Sequence, residues 1–184
     1  MKLLLPAFLL ITMSVHAQNF SLAIHGGAGR LIPKNFSPER IAQYESELDS
    51  ALEIGYNILR DSGTSIEACA AVVAYLEDSP LFNAGKGSVF NSEGRHEMDA
   101  SIMDGSNLNA GCVAGLESAK NPVLVAKSVM DSSEHVFLSG KGAEQFARAY
   151  NHEMEDSSYF FVERRWKQYQ KAKKKESILL DHDE

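Results

Sequence analysis

The chain has 184 residues, with 18 Lys+Arg against 25 Asp+Glu and a net charge of −7. At 44% hydrophobic and 23% charged, it reads as an ordinary globular protein, long enough to bury a core in roughly one domain. The acidic balance argues against a chain-wide surface for nucleic acid, and two cysteines exclude a disulfide-rich scaffold.

Residues 1–17 place one lysine ahead of an apolar run and close on Val15-His16-Ala17, a small-x-small site. This is the layout of a secretory signal peptide, with an uncleaved N-terminal anchor as the alternative, and predicts a mature chain starting near Gln18, secreted or periplasmic, with no membrane anchor after cleavage. Residues 20–24 form an apolar run entering the glycine turn His25-Gly26-Gly27-Ala28-Gly29, which predicts a buried strand and then a turn. Ser37-Pro38-Glu39 opens a helix whose apolar face is Ile41, Tyr44, Leu48, Ala51, Leu52, Gly55, Ile58 and Leu59, with Gly63 at its end. Thr64-Ser65-Ile66-Glu67 is a capping box for a second helix to about Leu76, expected to turn Ile66, Ala70, Val73 and Leu76 to the core.

The glycine-rich stretch 81–115 contains two predicted strands, 97–103 and 110–116, joined by the turn formers Asp104-Gly105-Ser106-Asn107. Asn121-Pro122 starts a helix through Met130, residues 136–138 read as a short strand, and residues 140–150 return to helix. Long helices combined with antiparallel hairpin strands predict an α+β fold. From Asn151 the composition shifts, and residues 164–175 carry seven basic residues and Trp166, expected as a solvated helical face or a flexible tail.

Familiar chemical motifs are mostly missing. HGGAG lacks the GxGxxG spacing, the next helix starts some ten residues later, and there is no Walker A sequence. The histidines of the mature chain show no HExxH or HxH spacing, and there is no GxSxG elbow. Cys69 and Cys112 lie among small apolar residues and are expected as buried thiols, with a disulfide left open by export. Residues 76–90 stand out: a helix end runs through Pro80 into a turn holding Gly85 and Gly87 without becoming a strand. Its unpaired carbonyls suit either a plain irregular loop or a hard cation bound by oxygen.

Taken together, HGGAG, SPLFNAGKGSVFN, HEMDASIMDG, AGCVAGLESAKNPVLVAKSVM and GKGAEQFA occur in that order. They resemble the α-subunit half of the isoaspartyl peptidase/L-asparaginase family, the plant-type asparaginases, from about Phe20 to Tyr150. The resemblance implies a four-layer αββα N-terminal nucleophile hydrolase, of which residues 18–150 are the α-subunit portion and residues 151–184 a basic helix and flexible linker. It further implies a precursor that cuts itself, and a newly exposed N-terminal Thr that attacks asparagine or a β-aspartyl peptide.

No Gly-Thr-Val-Gly type sequence occurs in the chain, so no catalytic residue is carried over, and the nucleophile is expected in a β-subunit portion of the same precursor. The resemblance assigns a structural sodium ion to the backbone carbonyls of Leu76, Glu77, Ser79, Phe82, Ala84 and Lys86, and no organic cofactor. It makes Asn83 an active-site support, with a loop-stabilising side chain as its alternative, and sets Gly26, Gly27 and Gly29 beside the scissile segment. His25 is expected as a hydrogen-bonded core residue. Dimers of αβ units are implied. A glycosylasparaginase-type amidase and a truncated non-catalytic homologue acting as a binding module are the alternatives.

Overall fold

The computed structural model describes residues 20–27 and 36–180, with side chains through Lys175. The predicted signal peptide and Gly29 lie outside the described residues. Helix α1 (Pro38–Arg60) starts where Ser37 accepts the Arg40 amide, and α2 (Ser65–Asp78) starts on the full capping box. In that box the Thr64 amide donates to Glu67 Oε2 at 2.7 Å and the Glu67 amide to Thr64 Oγ1 at 3.2 Å.

Strands β1 (Met98–Met103) and β2 (Ala110–Leu116) form the expected antiparallel hairpin, with Ser101 opposite Cys112. Helix α3 (Pro122–Ser132) packs on both strands, and β3 (Phe137–Ser139) joins β2 in parallel, with Val113 opposite Leu138. The chain passes directly from β3 into α4 (Gly140–Ala149), followed by α5 (Ser157–Phe160) and α6 (Glu163–Leu180). Helices around a small three-stranded sheet, order β1-β2-β3, fit the α+β expectation. Among the described residues no helix is long and apolar enough to cross a membrane.

Among the described residues two clusters hold much of the core. Ile102, Val113 and Leu116 of the sheet meet Val125, Ala126 and Val129 of α3, Ala143 and Ala147 of α4, and Ala70 of α2. Ala51 of α1, Val72 and Leu76 of α2 and Phe82 of the following loop make the second. The end of α2 therefore carries the chain from one packed layer into the loop at residues 79–97.

Three local expectations are corrected. Residues 20–24 are not a strand: Phe20, Leu22 and Ile24 are half-buried and alternate with exposed neighbours, but no described segment provides the ladder bonds that define a strand. The segment lies on the helices instead, with the Phe20 ring 5.6 Å from that of Tyr56. In α2, Ala68 and Val72 are buried while Val73 is 37% exposed, because α2 has to face both α1 and α3 and its buried arc is turned from the expected one. Cys69, on the same outer side, is exposed and Cys112 is half-buried; both are free thiols.

Candidate functional site

The loop after α2 begins as the capping pattern dictates. Ser79, at the C-cap, donates its amide to the Leu76 carbonyl at 3.2 Å, and Pro80 prevents the helix from continuing. The chain then folds back through a single 3₁₀ turn at Gly85–Gly87. Gly85 has a φ of +45°, and a Cβ there would stand 2.2 Å from the Glu77 carbonyl oxygen; at Gly87 it would stand 2.0 Å from that of Phe82. Two glycines thus let one limb of the loop lie directly on the carbonyls of the other.

Four of the six carbonyls singled out in the sequence, those of Glu77, Ser79, Phe82 and Lys86, accept no hydrogen bond from any described residue. The Leu76 and Ala84 carbonyls accept the amides of Ser79 and Gly87. Leu76, Glu77, Ser79 and Phe82 are buried, and Ala84 and Lys86 half-buried, so these oxygens sit on a shielded, hydrogen-bond-poor stretch of backbone. Among the described residues no group of three or more His, Cys, Asp or Glu side chains is placed to hold a metal ion. Hard backbone oxygen is the donor chemistry the loop offers.

Asn83 is exposed, and its Oδ1 accepts the Val89 amide at 2.9 Å, while its Nδ2 donates to no described residue. One end of this amide staples the loop and the other remains able to donate. A cavity of about 310 Å³ joins Asn83 to Glu77, Ser88, Glu97 and Asp99. Gly26 adjoins the same loop, since a Cβ on it would touch the Phe82 ring at 3.4 Å, whereas Gly27 has a φ of +113° and open space around it. His25 is not a core residue: it is exposed, because its Nδ1 accepts the Gly27 amide at 3.2 Å and the ring stays with the turn.

Glu77 does more than its sequence position suggested. Its carboxylate is 2% exposed and Oε1 accepts the Val123 amide at 3.0 Å, satisfying a donor at the start of α3 that the Asn121 side chain leaves uncapped. Oε2 has no hydrogen-bond partner among the described residues. Burial pushes the Glu77 carboxyl up to about 8, against the opposing bond from Val123.

Ser88 and His96 were not anticipated. Ser88 Oγ and His96 Nδ1 share a buried hydrogen bond of 3.0 Å, and the imidazole lies against Phe90, 4.2 Å between ring centroids. Burial holds His96 below its ordinary range. His96 Nε2 has no partner among the described residues, so no carboxylate completes a serine–histidine triad here. No spacing in the sequence pairs Ser88 with His96, which stand eight residues apart across a polar, glycine-containing stretch.

These features can be set beside known proteins. The asparaginase family model matches residues 18–183. The chain belongs to the asparaginase family. It is 40% identical over 161 residues to the isoaspartyl peptidase of Escherichia coli, covering 88% of this chain and 50% of that protein. It is 44% identical over 128 residues to the human isoaspartyl peptidase/L-asparaginase, covering 70% of this chain and 40% of that one. With the plant-type L-asparaginase of Thermococcus kodakarensis the identity is 41% over 155 residues, 84% of this chain and 48% of the relative. The chain thus spans about half the length of the curated relatives it matches.

Proposed function

We propose that this chain is the α-subunit portion of a hydrolase that cleaves β-aspartyl peptides and the side-chain amide of L-asparagine. The observation that carries the reading is the family match over residues 18–183, together with identities of about 40% to relatives named isoaspartyl peptidase and plant-type L-asparaginase. The nucleophile is then the N-terminal Thr of a β-subunit portion released by autocleavage, and this chain alone is inactive. The free α-amine, with a reference pKa of about 7.7–8.0, takes the proton of the adjacent hydroxyl. The hydroxyl oxygen attacks the amide carbonyl, the tetrahedral oxyanion is held by oxyanion-hole donors, and ammonia or the peptide amine leaves. Water then releases aspartate from the acyl-enzyme.

In this scheme Asn83 supports the active site through the amide nitrogen that the Val89 contact leaves able to donate. Gly26, Gly27 and Gly29 let backbone pass close to the scissile segment. The carbonyls of Leu76, Glu77, Ser79, Phe82, Ala84 and Lys86 hold a sodium ion, whose part is to fix the loop by charge. The four of these carbonyls that accept no hydrogen bond support that assignment. The assembled fold is a four-layer αββα sandwich, residues 151–184 lead to the cleavage point, and αβ units pair as dimers outside the cytoplasm.

The test is to express the complete reading frame and this chain alone. We expect the complete protein to yield a second chain with Thr at its N-terminus and to hydrolyse a β-aspartyl dipeptide and asparagine, with the α portion inactive by itself. Hydrolysis of glycosyl-asparagine in their place would assign the amidase alternative. Activity of this chain alone, or a complete protein that neither cuts nor hydrolyses, would overturn the reading.

A further inference from the structure

The basic tail of the chain is tied to the candidate site from two sides. Helix α6 lays its first two turns over the loop at residues 81–92. Arg165 Nε donates to the Gly87 carbonyl at 2.8 Å, and an Arg164 guanidinium nitrogen donates to the Leu81 carbonyl at 3.1 Å. Further along, the Tyr169 hydroxyl and Lys173 Nζ reach the Ser92 carbonyl at 3.4 and 3.3 Å. Trp166 and Tyr169 close on Phe90 with centroid separations of 5.2 and 5.7 Å. On the other side, the Tyr159 hydroxyl of α5 donates to Asp78 at 3.0 Å and its ring lies 5.0 Å beneath Lys86 Nζ. Phe160 between them is fully buried.

The placement of the arginines is unfavourable for the helix itself. Arg164 and Arg165 occupy the first turn of α6, where the positive end of the macrodipole disfavours cations. Both are half-buried, and burial draws the Arg165 guanidinium below its ordinary range. The helix dipole and solvation would each place these charges elsewhere, so what keeps them there is the loop. Its carbonyls at residues 81 and 87 flank Asn83 and the 3₁₀ turn, in a stretch with almost no ladder of its own.

We propose that Arg165, assisted by Arg164, is a positioning residue: it makes α6 a strap that holds the 81–92 loop in the conformation presenting Asn83. The tail therefore sets the geometry of the site as well as leading away from it. The role of the strapped loop in catalysis rests on the function proposed above; the strapping itself does not.

Two readouts separate these levels. The first is amide hydrogen exchange of the loop, followed at Gly87, Ser88, Val89 and Asn91, in the complete protein carrying Arg165→Ala, Arg164→Ala or, as a control, Lys171→Ala. Lys171 is exposed and makes none of these contacts. We expect Arg165→Ala to speed exchange at these amides by about tenfold or more, the scale of one charged hydrogen bond, with the core amides of α3 unmoved. Arg165→Lys should restore part of the protection, because the ammonium reaches the same carbonyl without the fixed guanidinium fork. If Arg165→Ala does not fold, Arg165→Lys alone decides: loop-confined loss of protection supports the strap, and exchange equal to the parent overturns it. Loop exchange within twofold of the parent in both arginine variants also overturns it. The second readout is turnover of a β-aspartyl dipeptide. Arg165→Lys is expected to lower kcat with little change in KM, and unchanged kcat despite a loosened loop would remove the catalytic role while leaving the strap in place. An inactive parent would refute the proposed function, and the exchange result would still stand.

Discussion

Replacing Gly87 by alanine puts the folded-back loop under direct test. A Cβ at that position would lie 2.0 Å from the Phe82 carbonyl oxygen and 3.0 Å from both the carbon and the oxygen of the Pro80 carbonyl. All three are backbone atoms, so no side-chain rotation relieves the overlap. Gly87 does not sit in the left-handed region, so the cost comes from contact and not from backbone strain. Overpacking costs about 1–3 kcal/mol, and opening the turn would weaken the Gly87–Ala84 and Ser88–Gly85 bonds at about 0.5–1.5 kcal/mol each. Gly87→Ala is therefore expected to destabilise by about 2–6 kcal/mol. Gly142 supplies the control: it lies within α4 with nothing within 4 Å of an added Cβ, and alanine there should stabilise by about 0.5–1 kcal/mol. Urea unfolding of the complete protein, followed by circular dichroism, measures both. A Gly87→Ala variant within about 0.5 kcal/mol of the parent would refute the stacked-limb geometry.

Phe160→Ala empties the fully buried position that anchors α5 against His96, and should cost about 3–5 kcal/mol, read as a lowered melting temperature. Thr64→Ala removes the cap of α2 and should cost about 1 kcal/mol in the same assay, with Thr64→Ser recovering most of it. Burial holds both His96 and His152 below their ordinary range, so the unfolded chain binds protons more readily than the folded one. The histidine contribution to stability should be full above about pH 6.5 and fall as the pH drops through that unfolded value, whereas the raised Glu77 carboxyl acts the other way, its contribution being lost as the pH rises toward about 8. Melting at pH 7.5 and 5.5 in a Glu77→Gln background isolates the histidine part, and replacing both histidines by glutamine there should flatten the difference.

Much of the secondary structure was legible because its signals are local. The capping box at Thr64 and Glu67, Pro38 behind Ser37, and the turn formers between β1 and β2 each act within a few residues, and each element starts where its signal stands. Expectations failed where a neighbour distant in sequence decides. The buried arc of α2 depends on α1 and α3 at once, which moved Val73 and Cys69 outward. Residues 20–24 have the alternation of a strand, but that alternation names only a face, and a strand also needs a partner. His25 illustrates the same limit, since a histidine beside a glycine turn can bond locally without being buried.

The candidate loop was legible as an oddity, a helix end running into glycines, but the groups that organise it were not. The Glu77 carboxylate reaches the amide of Val123, and Arg164 and Arg165 reach the carbonyls of Leu81 and Gly87, across separations of 46, 83 and 78 residues. Periodicity cannot report such pairs, because a buried carbonyl requires some donor without specifying which. A weaker sign did exist in the sequence. Two arginines in the first turn of a helix oppose its dipole, and a charge kept where its own helix disfavours it implies a partner outside that helix. By that argument the basic run divides by position: the charges at its start face the loop carbonyls, whereas Lys167 and Lys171 face solvent. A uniformly solvated tail would have no reason to spend its helix-opening positions on arginine.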